Sequence, residues 1–132
     1  MNSKIVMTVS SLFLGIMGIT FSFLPEEIMN YLNVEPNPIT ILLLQILSAL
    51  YLGFGILNWM AKGSIIGGIY NRPIAIGNLM HFSVGAIALI KIISRIQIHS
   101  EVIIVLTVSY VILALSFAYV FFNNPSKVSD KK

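Results

Sequence analysis

Four long stretches of this chain contain no Asp, Glu, Lys or Arg: residues 5–24, 39–61, 73–90 and 102–122. A helix rises about 1.5 Å per residue, so about 20 residues cross the roughly 30 Å of a bilayer's hydrocarbon. Within each stretch the apolar residues run on continuously instead of alternating, which argues against the strands of a membrane barrel. In hydrocarbon every peptide group must find its partner inside the structure, and continuous helices meet that demand. The pattern therefore predicts an all-α integral membrane four-helix bundle, antiparallel and up-down-up-down. Its spans fall at about 5–24, 39–61, 73–92 and 102–122 in one domain over residues 1–124, followed by a polar tail over 125–132.

The punctuation supports these limits. Pro25 stops the first helix and Pro36-Asn37-Pro38 leads into the second, with Pro38 where a first helical turn tolerates it. Lys62-Gly63-Ser64 closes the second, Asn71-Arg72-Pro73 opens the third and Asn123-Asn124-Pro125 ends the fourth. Between the first two spans Ile28, Met29 and Leu32 share one side of Glu26–Leu32, the spacing of a short helix lying at the membrane interface. Gly63–Tyr70 is apolar but too short to span, and reads as a tight, glycine-rich inner turn.

Composition agrees with lipid as the solvent. Of the 132 residues 57% are hydrophobic and 10% charged, against about 25% charged in soluble domains. The apolar run of the first block exceeds the roughly 7–15 residues of a signal-peptide core and no small-residue cleavage site follows, so it reads as an uncleaved span. The net charge of +3 comes from Lys and Arg scattered singly between apolar blocks, which argues for topology determinants and against nucleic-acid binding. With the N-terminus inside, Lys4, Lys62, Arg72, Lys127, Lys131 and Lys132 are cytoplasmic, and only Lys91 and Arg95 lie outside. The first loop carries Glu26, Glu27 and Glu35 and no cation, so it is placed outside. Both termini are then expected to be cytoplasmic. Trp59, Tyr31, Tyr70 and Tyr119 near the span ends suit the headgroup region.

Helices in lipid associate through small residues and interhelical hydrogen bonds. Ser11, Gly15, Gly18 and Ser22 form such a stripe on the first helix. Gln45, Ser48, Gly55 and Trp59 share a face of the second, and Asn71, Asn78, His81, Gly85 and Ala88 a face of the third. These faces are expected to point inward, either as packing seams or as the lining of a polar cavity. The candidate ligand-binding residues are His81, Asn78, Gln45, Asn58, Trp59 and Arg72.

His81 stands near the middle of the third span, where an imidazolium would be costly, so a neutral ring is expected there. A neutral imidazole can hydrogen-bond to a neighbouring helix, contact a quinone carbonyl, or bind a metal or haem. Haem usually asks for a second axial ligand, and His99 falls in the outer loop. The Arg72 guanidinium, at the inner mouth of the third span, can anchor to lipid headgroups or hold an anionic substrate. Glu101 suits the positive end of the fourth helix's dipole. No carboxylate lies at the depth of His81, which argues against proton-coupled antiport of the small-multidrug type. With no cysteine there is no thiolate ligand or nucleophile, and no catalytic triad, HExxH or phosphate-cradling loop is present.

The layout, together with Pro25-Glu26, Gly53, Asn58-Trp59 and Asn71-Arg72-Pro73, resembles the DoxX-like group of small bacterial four-helix membrane proteins. That resemblance implies a compact four-helix bundle. Some DoxX proteins are membrane subunits of a thiosulfate:quinone oxidoreductase or partners in redox complexes, but this chain lacks any thiol or paired acidic residue to carry redox chemistry. The function expected is a small-ligand-binding or accessory subunit of a membrane complex. The alternatives are a quinone-contacting subunit of a membrane oxidoreductase and a small transporter acting as a homodimer. Membrane lipids and a partner subunit or second copy are the expected partners, and quinone or haem the cofactors to be considered.

Overall fold

The computed structural model describes residues 2–64, 66, 71–93, 95 and 100–123. Among these every regular element is a helix: α1 (Ser3–Phe23), α2 (Pro25–Tyr31), α3 (Pro38–Ala61), α4 (Arg72–Ile93) and α5 (Ser100–Phe122). The all-α class, the four long helices and the short helix after the first are as the apolar pattern predicts. Four helices are long and apolar enough to cross a bilayer, which makes this a multi-pass membrane protein. Large side chains such as Ile16, Leu43, Val105 and Leu115 are more than half exposed, as lipid-facing residues are. Parts of the Gly63–Tyr70 turn, together with His99 and the tail from residue 124, lie outside the described residues.

The helix limits follow from local chemistry. Asn2 caps α1, its side-chain oxygen accepting the Lys4 N–H at 3.0 Å. Asn37 caps α3 by accepting from Ile39 and Thr40 at 3.1 and 3.0 Å, with Pro38 in the first position, where its missing N–H costs nothing. These caps, invisible to a count of uncharged residues, start α1 and α3 slightly before the apolar blocks. Pro25 opens α2, and Glu26 and Glu27 occupy its first turn. α2 ends in a Schellman motif: Asn33 takes a positive φ of 53°, its N–H bonds the Asn30 carbonyl, and the Val34 N–H bonds the Met29 carbonyl. Pro25 and Met29 are buried while the two glutamates are exposed, so α2 is amphipathic as expected.

The chain divides into two compact units. One comprises residues 8–60: α1 from Thr8, α2, and α3 to Met60. Contacts run from Ser10 with Asn58, through Ser11 with Gly55, to Phe21 with Tyr51, whose rings lie 5.5 Å apart. Numbers rise on α1 as they fall on α3, so the pair is antiparallel. A Cβ placed on Gly55 would sit 3.3 Å from the Gly15 nitrogen, so the two backbones approach as closely as glycine permits.

The other unit comprises residues 1–7 and 61–132 and contains α4 and α5. The Arg72 guanidinium lies over the Phe121 ring at 5.4 Å, Phe82 stacks on Phe117 at 5.7 Å, and Gly85 faces Tyr110, again an antiparallel pair. The seam of α5 is Ile103, Thr107, Tyr110, Leu113, Phe117 and Val120. Its spacing of three and four residues keeps one face of α5 buried, and from that face Tyr110 and Phe117 meet Phe82 of α4.

Candidate functional site

Two groups of side chains inside the spans could do more than fill space. The first is polar and lies between α1 and α3. The Ser11 hydroxyl donates to the Gly55 carbonyl at 2.8 Å, and the Asn58 amide donates to the Ser10 hydroxyl at 3.0 Å. Ser10 and Asn58 have no exposed surface. Because Gly55 lacks a side chain, α1 comes near enough for Ser11 to reach a carbonyl already engaged in α3. Polar groups here are engaged in joining helices, which is what hydrocarbon demands of them.

The second group is aromatic and lies on α4 and α5. The His81 ring stands 5.0 Å from Phe82 and 5.8 Å from Tyr110, and Phe82 meets Tyr110 edge to face at 5.3 Å. Tyr110 and Phe82 are buried and His81 is half-buried. The arrangement depends on Gly85, one turn beyond His81, because a Cβ there would overlap the Tyr110 ring. Asn78, one turn before His81, is buried and donates to the Ile74 carbonyl at 2.9 Å, tying one of its donors to its own helix.

The six candidates fall into two sets: His81, Asn78 and Arg72 on α4, and Gln45, Asn58 and Trp59 on α3. His81 and Asn78 are neighbours on one face. Arg72 is nine residues from His81, roughly 13 Å along the axis, and is exposed at the helix end over Phe121. On α3 the expected inward face is corrected in part. Ser48, Gly55 and Asn58 are buried, but Gln45 and Trp59 are exposed. At about 100° per residue the buried face centres near Gly55 and Tyr51, which turns Gln45 onto the far flank. Gln45 and Asn58 are also 13 residues apart, roughly 20 Å, too far to line one small cavity. Ala88, expected on the α4 face, is likewise exposed, since the buried positions there are Ala75, Asn78, Phe82 and Ala86.

No protein-family model, curated protein or solved structure matches the chain. What the site can do follows from its own side chains. Among the described residues no group of three or more His, Asp or Glu is placed to hold a metal ion. The rings of Phe82 and Tyr110 are packed against each other and are buried, and the half-buried imidazole of His81 is the polar group at the edge of that cluster.

Reading from the sequence alone overlooks Tyr110 and Ser10. Tyr110 has a signal in hindsight: it sits mid-span, unlike Tyr119, at a depth where a phenol needs a partner. Ser10 is obscured by its neighbour, because the small-residue stripe selects Ser11 and leaves Ser10 as an ordinary flank.

Proposed function

We propose that this chain is a small-ligand-binding or accessory subunit of a membrane complex, seated in a bacterial cytoplasmic membrane with both termini inside. The observation that carries this reading is His81, an imidazole deep in a span and gathered with Phe82 and Tyr110. Ionisable groups at such depth are expensive and are usually kept for binding or transfer. The resemblance to DoxX-like chains favours the same reading.

A second reading, contact with a quinone, is favoured by the shape of that group. A quinone is planar and carries carbonyl acceptors, so it wants aromatic faces and one N–H or O–H donor. The half-buried His81 ring stands at the edge of the cluster, with Tyr110 and Phe82 packed behind it, and its imidazole is the group a quinone carbonyl would meet.

Both readings are tested by extracting the wild-type chain and His81→Leu from membranes in mild detergent. Bound quinone or haem is then sought by absorbance and companion subunits by mass spectrometry. The expected result is a ligand or subunit that accompanies the wild type and is lost from a monodisperse His81→Leu. A wild type that carries nothing, or a variant that keeps everything, defeats the proposal.

A further inference from the structure

α3 has two faces fit for helix contact, and α1 uses only one. On the used face Gly55 meets Gly15 and Ser11. On the other, Leu42, Gln45, Ile46, Ala49, Gly53 and Ile56 are all exposed. Gln45 is what sets this face apart from an ordinary lipid-facing surface. It lies about 7 Å along the axis from the middle of α3, inside the roughly 30 Å of hydrocarbon. Among the described residues nothing bonds its side-chain amide; its backbone belongs to the α3 ladder, and its carbonyl also accepts from the Ser48 hydroxyl at 2.8 Å. An amide facing lipid tails is strongly disfavoured unless it finds a hydrogen-bonding partner.

We propose that this face of α3 is the contact between two copies of the chain, paired through Gln45. A carboxamide is donor and acceptor at once, so two of them satisfy each other. Copies inserted with the same topology carry Gln45 at the same depth, so a two-fold axis along the membrane normal brings the two amides together. No other occupant offers that match of chemistry and depth from this chain alone. The remaining surface suits close approach: Ala49 and Gly53 follow Gln45 at successive four-residue steps, and a Cβ added at Gly53 meets nothing within 4 Å. The pairing requires the chain to lie in a bilayer and is independent of what His81 binds.

The chain has no cysteine, which makes the test direct. Ala49→Cys is introduced into the full chain, reconstituted in phosphatidylcholine vesicles and oxidised with copper phenanthroline. Val105→Cys, on the exposed side of α5, serves as the reference. The expected product is a disulfide-linked species of twice the chain mass, formed several-fold more efficiently from Ala49→Cys than from Val105→Cys. Adding Gln45→Leu should weaken dimerisation by about 3- to 30-fold, whereas Gln45→Asn should retain most of it. Gly53→Ile should also weaken the dimer while the monomer stays folded, because the space there is open. Equal cross-linking at residues 49 and 105, or indifference to Gln45→Leu, overturns the proposal. So does the same assay in native membranes if Ala49→Cys joins only to a protein of different mass.

Discussion

The Asn58 amide and the Ser10 hydroxyl meet at 3.0 Å, wholly shielded from the surroundings, 48 residues apart in the chain. Such a bond replaces water, which hydrocarbon does not supply, so its loss should be felt as stability. Double-mutant cycles in a membrane protein average about 0.6 kcal/mol for interhelical hydrogen bonds, with a maximum near 1.7. In an SDS-unfolding titration, Ser10→Ala and Asn58→Ala should each lower stability, with a coupling energy of about 0.5–1.5 kcal/mol between them. Strict additivity would mean the bond contributes nothing.

Glycines on opposite sides of α3 should respond in opposite ways. Gly55→Ala sets a Cβ 3.3 Å from the Gly15 nitrogen and 3.4 Å from the Ser11 carbonyl oxygen, backbone atoms that yield only if the helices separate. A loss of about 1–3 kcal/mol is expected. Gly53→Ala meets open space and should be neutral or slightly stabilising in dilute detergent, through helix propensity. Thermal unfolding of the two variants side by side decides the matter.

On α4, Gly85→Ala should disturb the aromatic group without removing any of its members. The new methyl would overlap the buried Tyr110 ring, which Phe82 backs at 5.3 Å. The expected outcome is a loss of about 1–3 kcal/mol and a changed near-ultraviolet circular dichroism from the displaced tyrosine. An unchanged spectrum would show that the ring has room to move.

Phe117→Ala offers a test of the solvent itself. Phe117 is buried and stacked on Phe82 at an interplanar angle of 11°. In water-soluble cores Phe→Ala costs about 3–5 kcal/mol, part of it the transfer of the ring out of water. Between helices in lipid that part largely disappears and the cavity remains, so roughly 2 kcal/mol is expected in bicelles. A cost at the full aqueous level would argue that this seam forms against water.

Topology is open to a simple measurement. Reporters fused before residue 2 and after residue 123 should both read as cytoplasmic, and a label attached at Glu35 should be reached by impermeant reagents from outside. Ends that report from opposite sides would require an odd number of crossings.

The spans were legible because hydrophobicity over 20 residues is a strong signal and because proline marked the limits of α1 and α3. The inner faces were legible only in part. Ser11, Ser48 and Asn78 lie where the small and polar stripes place them, yet Gln45 and Trp59 do not, because a stripe read by spacing is uncertain by a fraction of a turn. On α3 that fraction decides between α1 and lipid. The aromatic group was harder still: His81 was visible as an imidazole in a span, but Tyr110 becomes its neighbour only through the antiparallel register of α4 and α5. The opening at Gly85 that admits its ring is a property of the pair of helices, not of either sequence.

The unit built from α1 and α3 uses only residues 8–60. The Ser10–Asn58 and Ser11–Gly55 hydrogen bonds and the approach of Gly55 to Gly15 take no residue from α4 or α5. An α1–α3 hairpin can therefore close in the membrane as soon as α3 has left the ribosome, while α5 is still being made, and the amide of Asn58 already has the Ser10 hydroxyl to meet.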